Sequence, residues 1–366
     1  MSAGAAVEAL TLSLGAFRLN KIDFAVSGGE TLVILGPNGA GKSVTLETIA
    51  GFHRPDSGRI LIRGRDVTAL PPERRDVGFV VQNFGLFPHL SVAQNVAIAR
   101  RRGTAVVAAK SESPLGGDPA ALLGYFGITH LAERAPPVLS PGEKQRVALA
   151  RALAAAPDLF LFDEPFSALD AETHEQLRDE LKSYLRALGI PAIFVSHDRS
   201  DALTLADKIV VLRDGAAVQR GSPAEIFQRP ANSFVARFVG VENVLAGRLT
   251  ETSNGVLAVA VGQQPLRAMP AAIAPRQNDS VLLAIRAENV VIDPAQHASP
   301  PTSGTNRLRG RILELRRNGP LAIATIDCGF PLKAYLLGPQ VQKMGVETGS
   351  PVTAEIAPEA IHVMTD

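Results

Sequence analysis

An α/β domain followed by a smaller all-β domain is the fold that the sequence predicts, and three observations carry it. Before Gly240, short apolar β-branched runs at residues 31–35, 77–81, 159–162 and 193–195 alternate with helix-forming stretches. After Gly240 the alternation gives way to short β-type runs broken by Gly, Pro and Asn. That last part also repeats: Asn243-Val-Leu-Ala-Gly-Arg-Leu249 returns as Asn306-Arg-Leu-Arg-Gly-Arg-Ile312, and residues 285–292 return more loosely as 356–363.

The first run, 31–35, leads into Gly36-Pro-Asn-Gly-Ala-Gly-Lys-Ser43, a G-x-x-x-x-G-K-S loop, and then into a helix predicted over 44–50. Strand, loop and helix in that order are what a phosphate cradle requires. Glycines at 36, 39 and 41 let the backbone curl so that N–H groups point inward, and the helix adds the positive end of its dipole. Lys42 is placed to reach β- and γ-phosphates and Ser43 to offer its hydroxyl to Mg²⁺. Gly36, Pro37, Asn38, Gly39, Ala40, Gly41, Lys42, Ser43 and Val44 are therefore the expected ATP contacts. A ligand-free glycine turn does not account for the full eight-residue match with both flanks.

The run 159–162 ends on Asp163 and Glu164, two carboxylates at the edge of a sheet where ligands of open α/β folds sit. Asp163 suits holding Mg²⁺ through water, and Glu164 suits polarising an attacking water. Taken alone, the pair is equally a surface acidic turn; the phosphate loop upstream favours the chemical reading. The strand 193–195 delivers Ser196, His197 and Asp198 into a helix start of the Ser/Asp type. His197 reads either as a capping-region histidine without chemistry or as a sensor of the γ-phosphate, and its emergence beside Glu164 favours the second. Gln82, after the strand 77–81, completes the set as a ligand for Mg²⁺ or the water.

These residues resemble the nucleotide-binding subunit of ATP-binding-cassette (ABC) transporters over residues 1 to about 240. The resemblance makes Gly36–Ser43 the Walker A loop, Gln82 the Q-loop, Leu139-Ser-Pro-Gly-Glu143 the signature, Asp163 and Glu164 the Walker B pair, Ser167-Ala-Leu-Asp170 the D-loop and His197 the switch histidine. It implies an α/β P-loop NTPase with a helical subdomain at about 84–158, in which two cassettes pair head to tail. Each ATP would then lie between one copy's Walker A and the other copy's Ser140, Gly142, Glu143 and Asp170.

Two departures from the family pattern stand out. Pro141 occupies the place of the signature's first glycine, which removes one backbone N–H, yet proline is well tolerated as the first residue of a helix. Ser140-x-x-Glu143 reads locally as a capping box opening a helix over 143–156, stopped by Pro157. Turnover is accordingly expected to be slower than with two glycines. At the adenine end, Ser13 and Leu14 stand where the family places an aromatic; Phe17 is nearest, and the pattern reads equally as adenine contact or strand core.

Composition agrees with this outline. The chain has 366 residues, 46% apolar and 20% charged, enough for two domains. A net charge of +1 gives no reason to expect a nucleic-acid partner. A single cysteine, Cys328, excludes an internal disulfide and any multi-cysteine metal site. The sequence contains no apolar run of about 18 residues and no export-signal pattern. Membrane work is therefore expected to need other subunits, with this chain on the cytoplasmic side of the membrane as a peripheral component.

Phe84, Leu86 and Phe87, followed by a helix start at Ser91-Val-Ala-Gln94, read either as core plugs or as a cleft that receives a helix from a transmembrane permease. Residues 100–119 read as an irregular loop. The repeats predict two tandem halves of about 60 residues within 239–366, joined by the Pro- and Ser-rich stretch 293–305 and packed as one five-stranded-barrel-like unit. This tail is similar to the transport-associated OB-type domain of importer ATPases. Residues 50–92, 238–249 and 327–332 look closest to the molybdate/tungstate group, and the first of these also runs close to sulfate, polyamine and ferric-iron importers. The resemblance implies permease subunits and, indirectly, a periplasmic or extracellular solute-binding protein. It also raises a regulatory oxyanion on the tail, with Arg286, Arg311 and Lys333 as contributors. A soluble ATPase without a transport partner is the rival from another class.

Overall fold

A computed structural model describes residues 3–99, 118–155, 157–253, 255–270, 276–294 and 304–365. The expected loop 100–119 and the linker 293–305 fall largely outside these. The chain divides into two compact units, 1–223 and 224–366.

The first unit holds two sheets. β1 (Ala3–Leu14), β2 (Phe17–Ser27), β4 (Ser57–Ile62) and β5 (Arg65–Asp66) form an antiparallel sheet in the order β2-β1-β4-β5. The second sheet runs β10-β9-β3-β8-β7-β6 and contains β3 (Thr31–Leu35), β6 (Val77–Val80), β7 (Leu159–Asp163), β8 (Ala192–Val195), β9 (Lys208–Arg213) and β10 (Ala216–Gly221). All its pairings are parallel except that of β10. Every residue of β3 and β8 is buried, which is why these strands read as unbroken apolar runs. α1 (Lys42–Ala50) shares one core with both sheets: its Leu46 and Ile49 pack with Leu10 and Ile22 of the antiparallel sheet and with Leu32, Ile34 and Ile193 of the parallel one. Ends predicted from sequence move by a residue or two. α1 begins at Lys42 rather than Val44, and β6 stops at Val80.

Between β6 and β7 lie α2 (Val92–Ala97), α3 (Pro119–Tyr125) and α4 (Pro141–Ala154). α2 opens on a capping box of Ser91 and Gln94, and α4 on one of Ser140 and Glu143. α4 was expected over 143–156. It begins two residues earlier because Pro141, with no N–H to lose and φ already helical, takes the first position of the helix. α5 (Ala171–Leu188) follows β7, capped by Asp170, and α6 (Arg199–Leu205) follows β8, capped by Asp198.

The sequence placed the domain boundary at 238/239, but the compact units divide at 223/224. α7 (Pro223–Gln228) and α8 (Ser233–Phe238) account for the difference. The Phe227 carbonyl accepts from Arg286 Nη2 at 2.8 Å, the Pro230 carbonyl is bonded to His362 Nε2 at 3.0 Å, and α8 packs on two strands of the β-rich unit.

That unit is β-rich, consistent with the expected all-β OB-like domain, and its two halves together build two five-stranded sheets. The first is ordered β13-β12-β11-β14-β20, from β11 (Asn243–Ser253), β12 (Val256–Val261), β13 (Gln264–Ala268), β14 (Ser280–Ile285) and β20 (Ile361–Met364). The second is ordered β18-β17-β16-β19-β15, from β15 (Val291–Pro294), β16 (Asn306–Asn318), β17 (Leu321–Asp327), β18 (Pro331–Leu337) and β19 (Pro351–Ile356). The two orders are the same pattern, with the fifth strand of each half donated to the sheet of the other. Exchange of β15 and β20 joins the halves over a single hydrophobic core. α9 (Gly338–Met344) is inserted between β18 and β19. The repeated asparagines serve as matched clamps. Asn243 bonds the carbonyls of Ile285 and Lys333 and the Lys333 N–H, while Asn306 bonds the carbonyls of Ile356 and Arg267 and the Arg267 N–H.

Candidate active site

Four of the parallel strands end level with one another, and each predicted chemical group follows one of those ends. Ile34 of β3 pairs with Val195 of β8, Asp163 of β7 pairs with that same Val195, and Val80 of β6 pairs with Phe162. The loop 36–43, His197, Glu164 and Gln82 therefore emerge on one edge, the carboxyl edge where open sheets bind ligands.

Gly39 and Gly41 sit at φ +80° and +98°, left-handed values that favour glycine. At Gly41 space is also limiting, since a Cβ there would lie 2.6 Å from Phe17 Cζ and 2.7 Å from Leu19 Cδ2. Phe17, Asn38, Gly39, Gly41, Lys42, Ser43, Val44 and Glu164 line one cavity of about 360 Å³. Phe17 thus lies against the loop and lines the cavity.

Lys42 is buried, and its Nζ donates to the loop's own carbonyls, Gly36 O at 3.0 Å and Pro37 O at 3.1 Å. Burial lowers the pKa of this ammonium, and the nearby Glu164 and Asp163 carboxylates pull it back up. Ser43 Oγ donates to Asp163 Oδ1 at 3.0 Å, bringing two hard oxygen donors to one corner of the site. Burial raises the pKa of Asp163 above the usual carboxylate range.

Glu164 has φ +45°, a backbone conformation that non-glycine residues rarely adopt, and its N–H is tied to the Val195 carbonyl at 3.0 Å. Its carboxylate accepts from Gln82 Nε2 at 3.3 Å and lies 3.2 Å from His197 Nδ1. The structure thus brings Gln82, Glu164 and His197 into direct contact. The left-handed turn that makes this possible has no signature in the sequence.

Ser140, Gly142, Glu143 and Asp170 are not among the residues lining this cavity. Ser140 N–H and Oγ both donate to Glu143 Oε2, at 2.7 and 2.9 Å, and a Cβ on Gly142 would lie 3.0 Å from Thr173 Cγ2 at the start of α5. The start of α4 and the start of α5, with Asp170 as its exposed cap, therefore form a second locus on the same unit.

Sequence reasoning missed what braces the segment after Gln82. Arg151 of α4 donates to the carbonyls of Gly85 at 2.6 Å and Phe84 at 3.0 Å, two successive residues with positive φ, and its guanidinium lies 5.6 Å from the Phe87 ring centroid. Asn95, fully buried, donates to the carbonyls of Phe87, Leu90 and Ser91 and accepts from Phe87 N–H. Phe84 and Leu86 are half-buried and Phe87 is exposed. Nothing local in the sequence marks such long-range bonds to backbone. In the β-rich unit, Arg286 is engaged with Phe227 O and Glu288, Arg311 with Gly349 O, and Lys333 through its backbone N–H with Asn243. Among the described residues no helix is long and apolar enough to cross a membrane.

Comparison with known proteins agrees with this geometry. The family described as ABC transporter matches residues 19–167. The molybdate/tungstate import ATP-binding protein WtpC of Pyrococcus horikoshii is 37% identical over 366 residues, covering 98% of this chain and 99% of that protein. The spermidine/putrescine import ATP-binding protein PotA of Nitrosomonas europaea is 35% identical over 347 residues, 94% of each chain. Among solved structures, a dimeric post-hydrolysis state of an ATP-binding cassette bound to ADP and Pi is 29% identical, with a TM-score of 0.51 over 60% of this chain and 98% of that one.

Proposed function

Because the chain belongs to the import ATP-binding subunits of ABC transporters, and is thus an ATPase of that class, we propose that it drives uptake of an oxyanion of the molybdate/tungstate kind through separate permease subunits. The single observation that supports this cargo is the similarity to WtpC, 37% identical over 98% of this chain, a narrow margin over the 35% across 94% shared with the polyamine ATPase PotA.

In this reading Lys42 exchanges the carbonyls of Gly36 and Pro37 for phosphate oxygens of ATP, which satisfies a buried ammonium with anionic partners. Ser43 and Asp163, with Gln82 beside Glu164, suit a magnesium ion, which when bound would neutralise charge on the phosphates. Glu164 orients water and accepts its proton, and His197 holds that carboxylate and the γ-phosphate end. The second locus, Ser140 with Gly142, Glu143 and Asp170, faces the nucleotide of a second copy, so one chain supplies half of each site. The relative solved as a dimer with ADP and Pi supports the pairing of two copies. Phe84, Leu86 and Phe87, braced by Arg151 and Asn95, receive a permease helix, which places the chain at the cytoplasmic face of the membrane. A solute-binding protein outside completes the system.

The test is a reconstituted complex of this chain with its permease, given binding protein loaded with molybdate, tungstate, sulfate or spermidine. Stimulation of ATP hydrolysis by molybdate or tungstate alone is expected. Stimulation by sulfate or spermidine instead would replace the cargo and leave the ATPase reading standing.

A further inference from the structure

Behind the catalytic edge lies a buried polar cluster that the reaction itself does not use. Asp201 of α6 is only 4% exposed, and both its oxygens are engaged: Oδ2 accepts from Ser196 Oγ at 2.8 Å and Oδ1 from His174 Nε2 at 2.6 Å. Arg178 Nη1 stands 4.0 Å from Oδ1. Ser196 Oγ in turn accepts from Asp198 N–H at 2.9 Å, closing the turn on which His197 sits. On the other side the His174 ring stacks on Phe166 at 5.0 Å, and Phe166 is buried two residues after Glu164. Lys182 of α5 also donates to the Thr204 carbonyl of α6, so the two helices are held together.

These contacts form a closed circuit. From Glu164 the chain leads to Phe166, by stacking to His174, by hydrogen bonds to Asp201 and Ser196, along the backbone to His197, and across 3.2 Å back to Glu164. His197 itself is 59% exposed, so little packing fixes it; its place depends on the turn that Ser196 holds. Although ligand atoms of His174, Asp198 and Asp201 lie within 4.8 Å of one another, each of the three residues is already hydrogen-bonded inside the protein, and no metal is assigned there.

We infer that Asp201 is a positioning residue for hydrolysis: through Ser196 it fixes the turn carrying His197, and through His174 and Phe166 it fixes the segment that follows Glu164. The circuit acts on geometry after nucleotide is bound. It leaves the loop 36–44, and hence affinity, untouched. It rests on the proposed role of His197.

The test uses the full chain with the substitutions S196A, S196T, D201A, D201E and H197A, measuring kcat and KM for Mg-ATP and nucleotide Kd by fluorescent titration. S196A and D201A are expected to lower kcat about 10- to 100-fold, as small displacements of reacting groups do. Their nucleotide Kd should stay within about twofold, since binding and chemistry separate in such variants. S196T, which keeps the hydroxyl, restores most of the loss, and S196A keeps the test decisive if D201A fails to fold. Unchanged kcat in S196A and D201A beside an inactive H197A overturns the circuit alone. Equal losses of kcat and affinity, without rescue by S196T or D201E, overturn it in favour of simple structural support. A fully active H197A overturns the role of His197 and this inference with it.

Discussion

Glu164 Oε1 and His197 Nδ1 lie 3.2 Å apart across the ends of two neighbouring parallel strands, while Gln82 approaches the other carboxylate oxygen. The carboxylate is 16% exposed and the imidazole 59%, and it is Glu164 that lines the cavity beside the loop 36–44. E164Q keeps shape and hydrogen bonding but cannot take a proton. Its kcat is expected to fall about 10²- to 10⁴-fold, with nucleotide affinity retained, as measured by phosphate release and by titration. Turnover within a few fold of wild type would remove Glu164 from the chemistry.

Asp163 offers a pH test of the same corner. Its pKa is raised, first by burial, with Glu164 and Glu47 adding to the rise while the Ser43 hydrogen bond and Lys42 oppose it. A carboxylate whose folded value exceeds its unfolded one weakens the fold above that value, and the penalty disappears as pH falls through it. The nucleotide-free D163N chain should therefore melt higher than wild type at neutral pH, with the gap closing on acidification. With Mg-ATP present the order should reverse, because the variant loses the proposed anchor of the cation. A wild type that melts higher than D163N without nucleotide at neutral pH would contradict the assigned shift.

Pro141 holds the first position of α4 behind an intact Ser140–Glu143 box. P141G restores an N–H to the segment proposed to face a partner's nucleotide and frees the unfolded chain. Turnover equal to or faster than wild type is expected, together with a stability loss of about 0.4–1 kcal/mol. Much slower hydrolysis would show that proline contributes to the site rather than taxing it.

Local patterns made the catalytic edge legible and left its bracing hidden. β3, β7 and β8 were readable because strands buried on both faces must be apolar throughout, and α2 and α4 because Ser91 and Ser140 cap at fixed spacing from Gln94 and Glu143. The repeat of Asn243 in Asn306 announced two halves, yet the exchange of β15 and β20 was not readable, since which sheet a strand joins is decided by tertiary pairing. Arg75, Arg151 and Asp201 bond atoms far along the chain or on other elements, and an exposed arginine or aspartate has the same sequence signature as a buried one.

Arg75 is buried with four backbone carbonyls as its partners. Its guanidinium donates to Thr48 and Ile49 at the end of α1, at 2.8 and 2.9 Å, and to Leu70 and Thr68 at 2.8 and 2.9 Å. A cation at a helix C-terminus opposes the negative end of the dipole, and the carbonyls repay the desolvation that lowers its pKa. R75M strands those oxygens and is expected to cost about 3 kcal/mol or more in urea unfolding, with R75K recovering only part because an ammonium cannot span four acceptors. A loss below the experimental error would mean that water replaces the arginine.

Asn243 and Asn306 give the β-rich unit a quantitative test of its internal symmetry. Each side chain makes three bonds to backbone, with lengths of 3.2, 2.9 and 2.7 Å for Asn243 and 3.1, 2.9 and 2.6 Å for Asn306. Alanine at either place leaves one N–H and two carbonyls without partners, a cost of about 2–4 kcal/mol. The two costs should agree to about 1 kcal/mol and add in the double variant, since the sites share no partner. Cys328, the sole cysteine, reports on this unit alone: it is buried, with its thiol pushed up to about 11, so alkylation at neutral pH follows opening. Alkylation of folded wild type should be slow, and N243A and N306A should accelerate it equally. A variant pair differing tenfold in rate would show that one half of the repeat holds the unit and the other merely resembles it.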